Sequence, residues 1–421
     1  MSARLERTLD VGLNVWLFNA NTFSTQAGLA IFGLIYNLYL ASLGFREDYI
    51  GLFWFANTAA LGASAIPAGF VSNRIGPRLC LSLASVLMGA CMVGVGLVTA
   101  PLSIVVVGAL LGAATALLFV PGGPFMMDNC RTSDRMKVFS INAAVVSVAA
   151  VIGNFTSGYL PLMLGPFLSS GVDRSGAYRS AVMVAAVLCA LGAVPMIATR
   201  PGRALDTDSP LAASALRPLS EGAARRALPR IAGSVCLAAL GTGLVLPFYN
   251  VYLSERLGAS VTQVGTLFAV GSLLMVPSSL LGPLLARRWG IAGAVAGPRA
   301  LTAPFLLLPA LFASPLAASV TFIARAGLMS ATFPPDNTFA MELMPPRMRA
   351  VQAGIRSASW NMSWSLASLV AGQAIVTAGY PAVFAASAAI HVAAAVFYRV
   401  AIVPLGVRPS AAAVPASAEQ T

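Results

Sequence analysis

The sequence predicts an all-α polytopic membrane protein with twelve transmembrane helices in two pseudo-symmetric six-helix bundles. Of its 421 residues, 58% are hydrophobic and only 10% are charged, whereas soluble domains carry about 25% charged residues. A spanning helix needs about 20 mostly apolar residues, and about twelve such segments alternate with short polar breaks. A pentapeptide that occurs twice indicates that the second set of spans duplicates the first.

The spans divide evenly between the two halves of the chain. The first six are predicted near residues 14–41, 49–72, 79–98, 102–127, 138–164 and 178–199. The second six are predicted near residues 229–254, 262–285, 293–313, 316–342, 351–377 and 381–404. Too few residues separate them for any soluble domain.

These spans define the predicted domains. Residues 1–199 form the N-terminal six-helix bundle, and residues 229–404 form the C-terminal one. Residues 200–228 mix Arg, Pro, Asp and Ser without an apolar run, which predicts a cytoplasmic linker. The Ala-, Pro- and Ser-rich residues 405–421 are expected to be a disordered cytoplasmic tail.

The duplication is visible in specific residues. The pattern Tyr-Asn-x-Tyr-Leu occurs at 36–40 and again at 249–253. An acidic and a basic residue recur at one spacing at the ends of the fourth and tenth spans, as Asp128 with Arg135 and Glu342 with Arg349. Two halves with equal helix counts, joined on the same side, are related by an axis along the membrane normal.

The net charge of +12 is explained by membrane orientation. Placing both termini in the cytoplasm leaves four basic residues outside, namely Arg46, Arg174, Arg179 and Arg256. Most of the others then lie on cytoplasmic loops, as the positive-inside rule requires. The basic balance therefore indicates orientation in a lipid bilayer, and nucleic acid is not an expected partner.

The sequence offers little that would support a cofactor or an enzyme. The five cysteines and single histidine are not spaced as a disulfide framework or a metal site. The short loops hold no cluster of acidic or histidine residues suited to catalysis at the membrane surface. We expect no metal, no cofactor and no enzymatic activity.

A glycine and arginine hinge between the second and third spans carries a family resemblance. Gly69, Arg74, Gly76 and Arg78 match the signature of the major facilitator superfamily, with Asn73 where that family usually has an aspartate. The second half keeps a looser copy that includes Arg287 and Gly290. Together with the twelve spans and the central linker, the chain resembles this superfamily over essentially its whole length.

The resemblance implies transport by alternating access around a cavity lined by the first, fourth, seventh and tenth spans. It also implies that the hinge latches the cytoplasmic side, where Asn73 leaves only a neutral hydrogen bond. We expect the latch to depend more on charged residues at the inner helix ends. The predicted hinge and latch residues are Gly69, Asn73, Arg74, Gly76, Arg78, Asp128, Arg135, Arg287, Glu342 and Arg349.

Two ionisable residues lie within the tenth span, where charge is costly and often functional. Asp336 is the candidate for proton coupling. Arg325 is a candidate for holding an anionic group or tuning the protonation of Asp336. A structural pair with other helices, or a gate latch, is the alternative for both. Arg299 is expected to snorkel from the end of the ninth span, and Arg356 to pack or join the latch.

Polar side chains supply the other cavity candidates. Asn19, Thr22 and Gln26 share one face of the first span, where they either line a cavity or bond a neighbouring helix. Asn37, Tyr249 and Asn250 belong to the duplicated pentapeptides, and an outer gate or substrate role competes with a simple interfacial aromatic belt. Asn337 completes the predicted set.

The resulting functional prediction is a secondary active transporter of a small organic solute in the bacterial cytoplasmic (inner) membrane. Proton coupling is expected, with efflux of a drug or metabolite by antiport favoured over uptake. The protein is expected to work as a monomer. The alternative is a non-transporting receptor, or a factor that delivers pigment or lipid during assembly.

Overall fold

The computed structural model describes residues 12–131, 134–164, 174–199 and 219–406. The helices of the N-terminal half are α1 (Leu13–Ser42), α2 (Glu47–Ile75), α3 (Pro77–Leu97), α4 (Pro101–Asp128), α5 (Arg135–Leu164) and α6 (Arg174–Leu191), which a short helix (Ala193–Ile197) continues. The C-terminal half begins with α7 (Glu221–Val245), which runs on through irregular helical turns to Arg256. No strand occurs in the described ranges.

Two long helical stretches of the C-terminal half are each broken by a glycine. Val261–Leu311 breaks at Gly290, where φ is 68° and ψ is 176°, giving α8 (261–289) and α9 (291–311). Arg349–Phe397 breaks at Gly379, where φ is 82°, giving α11 (349–378) and α12 (380–397). Between these stretches lies α10 (Pro315–Leu343). Only glycine adopts such positive φ values readily.

Divided at these glycines, the described residues form twelve long helices, in agreement with the predicted fold class. Gly76 turns the chain between α2 and α3 with φ 82°, and Gly290 does the same between α8 and α9. The duplication therefore extends to the backbone of the hinge. Nine helical stretches of the described chain are long and apolar enough to span a membrane, and the two broken stretches are among them.

Every helix runs between two ends of the bundle. We call the end that holds loops 43–46, 98–100, 257–260 and 312–314 the distal end. We call the opposite end the linker end. It holds Gly76 and residues 344–348, and the chain enters α7 there from residue 219. The backbone of Leu219 donates a hydrogen bond to the carbonyl of Leu343 at 2.9 Å, which attaches the start of the second half to the end of α10.

The start of α7 differs from the predicted boundary. Helix begins at Glu221, inside the range assigned to the linker. Its first turns expose Arg225 and Arg226 while burying Ala224 and Ala227, so an amphipathic extension replaces the apolar pattern used to place the span. The predictions for residues 200–218 and 407–421 lie outside the described residues.

The two halves meet through α2 with α11 and through α5 with α8. Close approach at the distal end depends on glycine. A Cβ atom on Gly51 would lie 2.5 Å from the carbonyl oxygen of Ser368, and one on Gly265 would lie 2.7 Å from the Cα of Gly158. Small residues permit this backbone contact between membrane helices.

Candidate functional site

The duplicated asparagines meet at the contact between the two halves. Asn37 donates to the carbonyl of Pro247 at 2.5 Å, and Asn250 donates to the carbonyl of Leu34 at 2.5 Å. The two side chains also bond each other at 3.2 Å, and the indole of Trp54 donates to Asn37 at 2.7 Å. We call this arrangement, Asn37 and Asn250 with their bonds to the opposite half, the asparagine clasp.

The tyrosines of the two pentapeptides are core residues. Tyr36, Tyr39, Tyr249 and Tyr252 are all buried, with exposures of 0 to 4%. The hydroxyl of Tyr249 donates to the carbonyl of Ala318 at 2.7 Å. An interfacial belt would leave these rings at the membrane surface, so that interpretation is wrong. The tyrosines pack the helices that hold the asparagine clasp in place.

Further contacts between the halves lie around the clasp. Asn154 bonds Ser272 at 3.0 Å, and Ser365 donates to the carbonyl of Phe55 at 2.9 Å. At the distal surface, Arg174 pairs with Glu255 at 2.7 Å. Within the described ranges, these direct bonds between halves lie toward the distal end, so the two bundles are joined there.

Two adjoining cavities lie on the linker-end side of the clasp. The first has a volume of about 250 Å³ and includes Asn37, Asn250 and Asn154 in its wall. The second has a volume of about 260 Å³ and extends toward the linker end past Thr115. Trp54 and Trp364 line both cavities. We call the two together the central cavity.

A buried charge cluster lies beside this cavity in the C-terminal half. The Asp336 carboxylate contacts Arg299 of α9 at 3.3 Å and Arg356 of α11 at 3.0 Å, both through the same oxygen. Arg299 also donates to Ser234 of α7 at 3.0 Å, and its guanidinium lies 5.0 Å from the centre of the Tyr398 ring. A buried carboxylate requires such compensation. We call Asp336, Arg299 and Arg356 the charge cluster.

The charge cluster corrects two expectations. Arg299 does not snorkel to the membrane surface, because it is only 3% exposed and bonded on both sides. Arg356 does not merely pack, since it forms the shorter of the two pairs with Asp336. The sequence carried a signal for both ion pairs. Arginines within a membrane span need a counter-ion, and Asp336 is the acid placed deep in these spans.

Arg325 lies apart from Asp336. Its side chain is buried, its guanidinium lies 5.9 Å from the centre of the Phe322 ring, and its Nε has no hydrogen-bond partner among the described residues. It is not among the residues that line the central cavity. A role in binding an anion or tuning Asp336 therefore stays a prediction without a direct contact.

The polar face of α1 bonds a neighbouring helix. Asn142 of α5 donates to Asn19 at 3.1 Å and to Thr22 at 3.2 Å. This geometry matches the alternative in which the stripe joins helices. Gln26 is partly buried and Asn337 is exposed, and neither lines the cavities described above. The sequence did not single out Asn142, Asn154 or Trp54.

The hinge and latch residues lie at the linker end. Gly76 makes the positive-φ turn, and Arg78 donates to the carbonyls of Met196 at 3.1 Å and Ile197, within its own half. Arg349 donates to the carbonyl of Met344 at 3.3 Å. The remaining members, Gly69, Asn73, Arg74, Asp128, Arg135, Arg287 and Glu342, form no ion pair with one another in the described ranges. Their latch role stays a prediction.

Comparison with known proteins identifies the family. The model of the Major Facilitator Superfamily matches residues 19–368. The chain belongs to the major facilitator superfamily. It is accordingly an integral membrane protein with the fold of this superfamily's transporters. No curated protein sequence matches it.

Solved structures share the fold at low sequence identity. A bacterial homologue of the human lysosomal transporter Spinster, in an inward-facing and occupied conformation, is 16% identical with a TM-score of 0.72, covering 97% of this chain and 99% of that one. The nucleoside transporter NupG is 12% identical with a TM-score of 0.72, covering 92% and 98%. A D-xylose-proton symporter is 14% identical with a TM-score of 0.69, covering 91% and 96%.

Proposed function

We propose that this protein is a secondary active transporter that moves a small organic solute across the bacterial cytoplasmic membrane by alternating access, coupled to protons. The observation that carries the proposal is a central cavity between two duplicated halves, with the halves joined on one side of it by the asparagine clasp. Sealing a midplane site on one side at a time is the requirement of alternating access. Family membership supports the same function.

We propose that the linker end faces the cytoplasm and that the structure represents an inward-facing state. The positive-inside rule supports this orientation, because Arg74, Arg78 and Arg349 all lie at the linker end. The asparagine clasp is then the closed outer gate. The predicted latch residues would approach one another only when the linker end closes, in the opposite state. We expect the monomer to suffice for this cycle.

Asp336 is the proposed proton-coupling group. The groups that face its carboxylate are Arg299 from α9, Arg356 from α11 and the side chain of Tyr398, and Arg299 also contacts Ser234 of α7. Adding a proton to the carboxylate removes the negative charge that holds both guanidinium groups. The contacts from α10 to α9 and α11 then weaken, which links protonation to helix movement.

Reconstitution into proteoliposomes tests the proposal. Uptake of a panel of neutral, anionic and cationic solutes is measured for the native protein and for Asp336→Asn, under a pH gradient of either direction. We expect the native protein to accumulate a solute in response to the gradient and Asp336→Asn to lose this response while retaining exchange of labelled for unlabelled solute without a gradient. Glu221→Gln removes an exposed acid from the same half and serves as the control.

The outcomes separate the alternatives. Native-rate gradient-driven flux in Asp336→Asn would exclude Asp336 as the coupling group. Binding of a solute without any exchange would instead support a receptor or a delivery and assembly factor. Efflux by antiport rests on the sequence alone and stays a prediction. The direction of the pH gradient that drives accumulation distinguishes antiport from symport. Antiport accumulates the solute on the acidic side, and symport accumulates it on the alkaline side.

A further inference from the structure

The charge cluster and the central cavity are neighbours that share a wall residue, Trp360. A smaller space of about 30 Å³ adjoins Asp336 and Arg356 and includes Trp360 in its wall. Trp360 also lines the second part of the central cavity, where Trp364 and Trp54 continue the surface up to the clasp. The ring centres of Trp360 and Trp364 lie 6.0 Å apart. Trp360 therefore lies between the charge cluster and the cavity, and Trp364 extends the same aromatic surface along α11.

The charges along this lining are unbalanced. The cluster holds two guanidinium groups and one carboxylate, and among the described residues no other charged side chain lines the three spaces. A cation entering the cavity would meet this excess positive charge, whereas an anion would be attracted by it. The remaining walls are mostly apolar, with a few amides and hydroxyls such as Asn57 and Thr115. The lining therefore suits a molecule with one anionic end and an apolar body.

Arg356 is the group best placed to receive the anionic end. Its side chain remains 15% exposed, whereas that of Arg299 is 4% exposed. One of its nitrogens bonds Asp336 at 3.0 Å. A guanidinium carries five N–H donors in a fork that matches carboxylate and phosphate. Arg356 can therefore bind a second anion through its remaining N–H donors. Trp360 lies one helical turn further along α11.

We propose that the transported solute is an amphipathic anion whose carboxylate or phosphate binds Arg356 and whose flat apolar body packs along Trp360 and Trp364. This inference rests on the proposed transport function, and it names the substrate class of the same cavity. Asp336 and the solute then compete for Arg356. Protonation of Asp336 would release Arg356 for the anion, so that proton and solute bind together. Such co-binding favours symport over the antiport that the sequence suggests.

Equilibrium binding tests the substrate class without any gradient. The native protein in lipid nanodiscs is titrated calorimetrically with coumarin-3-carboxylate, 1-naphthoate and indole-3-acetate, and with the neutral amide of each. We expect at least one carboxylate to bind about tenfold more tightly than its amide, because charge-assisted bidentate bonds are among the strongest hydrogen bonds in proteins. Equal affinity within every pair, or no binding of any carboxylate, would overturn the proposal.

Three variants assign the effect to Arg356. Arg356→Gln should abolish the preference for the carboxylate, and Arg356→Lys should retain part of it. Asp336→Asn should strengthen carboxylate binding, because it removes the anion that competes for Arg356. If the cluster had only a structural role, this substitution would not increase the affinity for the carboxylate. Arg226→Gln removes an exposed arginine from the same half and should leave binding unchanged. Unchanged selectivity in Arg356→Gln, or weaker carboxylate binding in Asp336→Asn, contradicts the proposal.

The result is separable from that of the transport experiment. If the native protein shows no carboxylate preference but gradient-driven flux is intact, only the substrate class is rejected. A carboxylate preference that depends on Arg356 but occurs without flux or exchange would reject transport while supporting the binding site.

Discussion

Replacing Asn250 with alanine should shift the protein away from the state that is closed at its distal end. The substitution removes two bonds between the halves, one from Asn250 to the carbonyl of Leu34 at 2.5 Å and one from Asn37 to Asn250 at 3.2 Å. It leaves the bond from Asn37 to Pro247 in place. The predicted change is therefore partial opening without unfolding.

The size of the shift follows from the number of bonds lost. A buried hydrogen bond contributes about 0.5–1.5 kcal/mol net, so two contribute about 1–3 kcal/mol to closure. This corresponds to a change of about 5- to 150-fold in the equilibrium between the two states. Asn37→Ala should have a similar or larger effect. The double variant should change the equilibrium by less than the sum, because the bond between the two asparagines is lost only once.

Distance measurements between spin labels can detect this shift. Cysteines replace Ala100 in the N-terminal half and Ala313 in the C-terminal half, both exposed at the distal end, after substitution of the five native cysteines. We expect Asn250→Ala to add a population at longer distance. Asn361→Ala, which removes a bond within α11, is the matched control. An unchanged distribution in Asn250→Ala would refute the role of the clasp.

Two further predictions concern packing and surface charge. Gly112→Ala should lower the thermal unfolding temperature, because a Cβ there would overlap the Asn57 carbonyl, whereas a Cβ on Gly297 meets nothing within 4 Å. Equal unfolding temperatures for Gly112→Ala and Gly297→Ala would contradict this. Glu255→Gln should change distal closure by less than about 1 kcal/mol, since its pair with Arg174 is exposed. The same label pair should show that this effect disappears in high salt, and a large salt-independent opening would refute it.

The fold was largely predictable because membrane-spanning helices can be recognised from their apolar composition. Apolar runs located the spans, and the repeat of Gly76 as Gly290 indicated equivalent hinges in the two halves. The start of α7 was harder, because residues 221–228 continue the helix with an amphipathic pattern that resembles a polar linker. Periodicity alone does not mark where such a helix leaves the apolar core of the membrane.

The site was predictable only in part, because its contacts join distant parts of the chain. Asp336 was recognisable from the cost of burying a carboxylate, but its partners Arg299 and Arg356 come from different helices. The duplicated asparagines were visible as a repeat. The bond between them, however, forms only because the two halves pack together. Residues near each asparagine in the sequence give no sign of that packing.

Proton movement driven by solute tests the account most directly. A gradient of the solute identified by the transport panel is imposed on proteoliposomes without an initial pH difference, and a pH-sensitive dye inside them is followed. The native protein should move protons across the membrane, and Asp336→Asn should exchange solute without changing the internal pH. Solute-driven proton movement of equal size in both proteins would contradict coupling through Asp336.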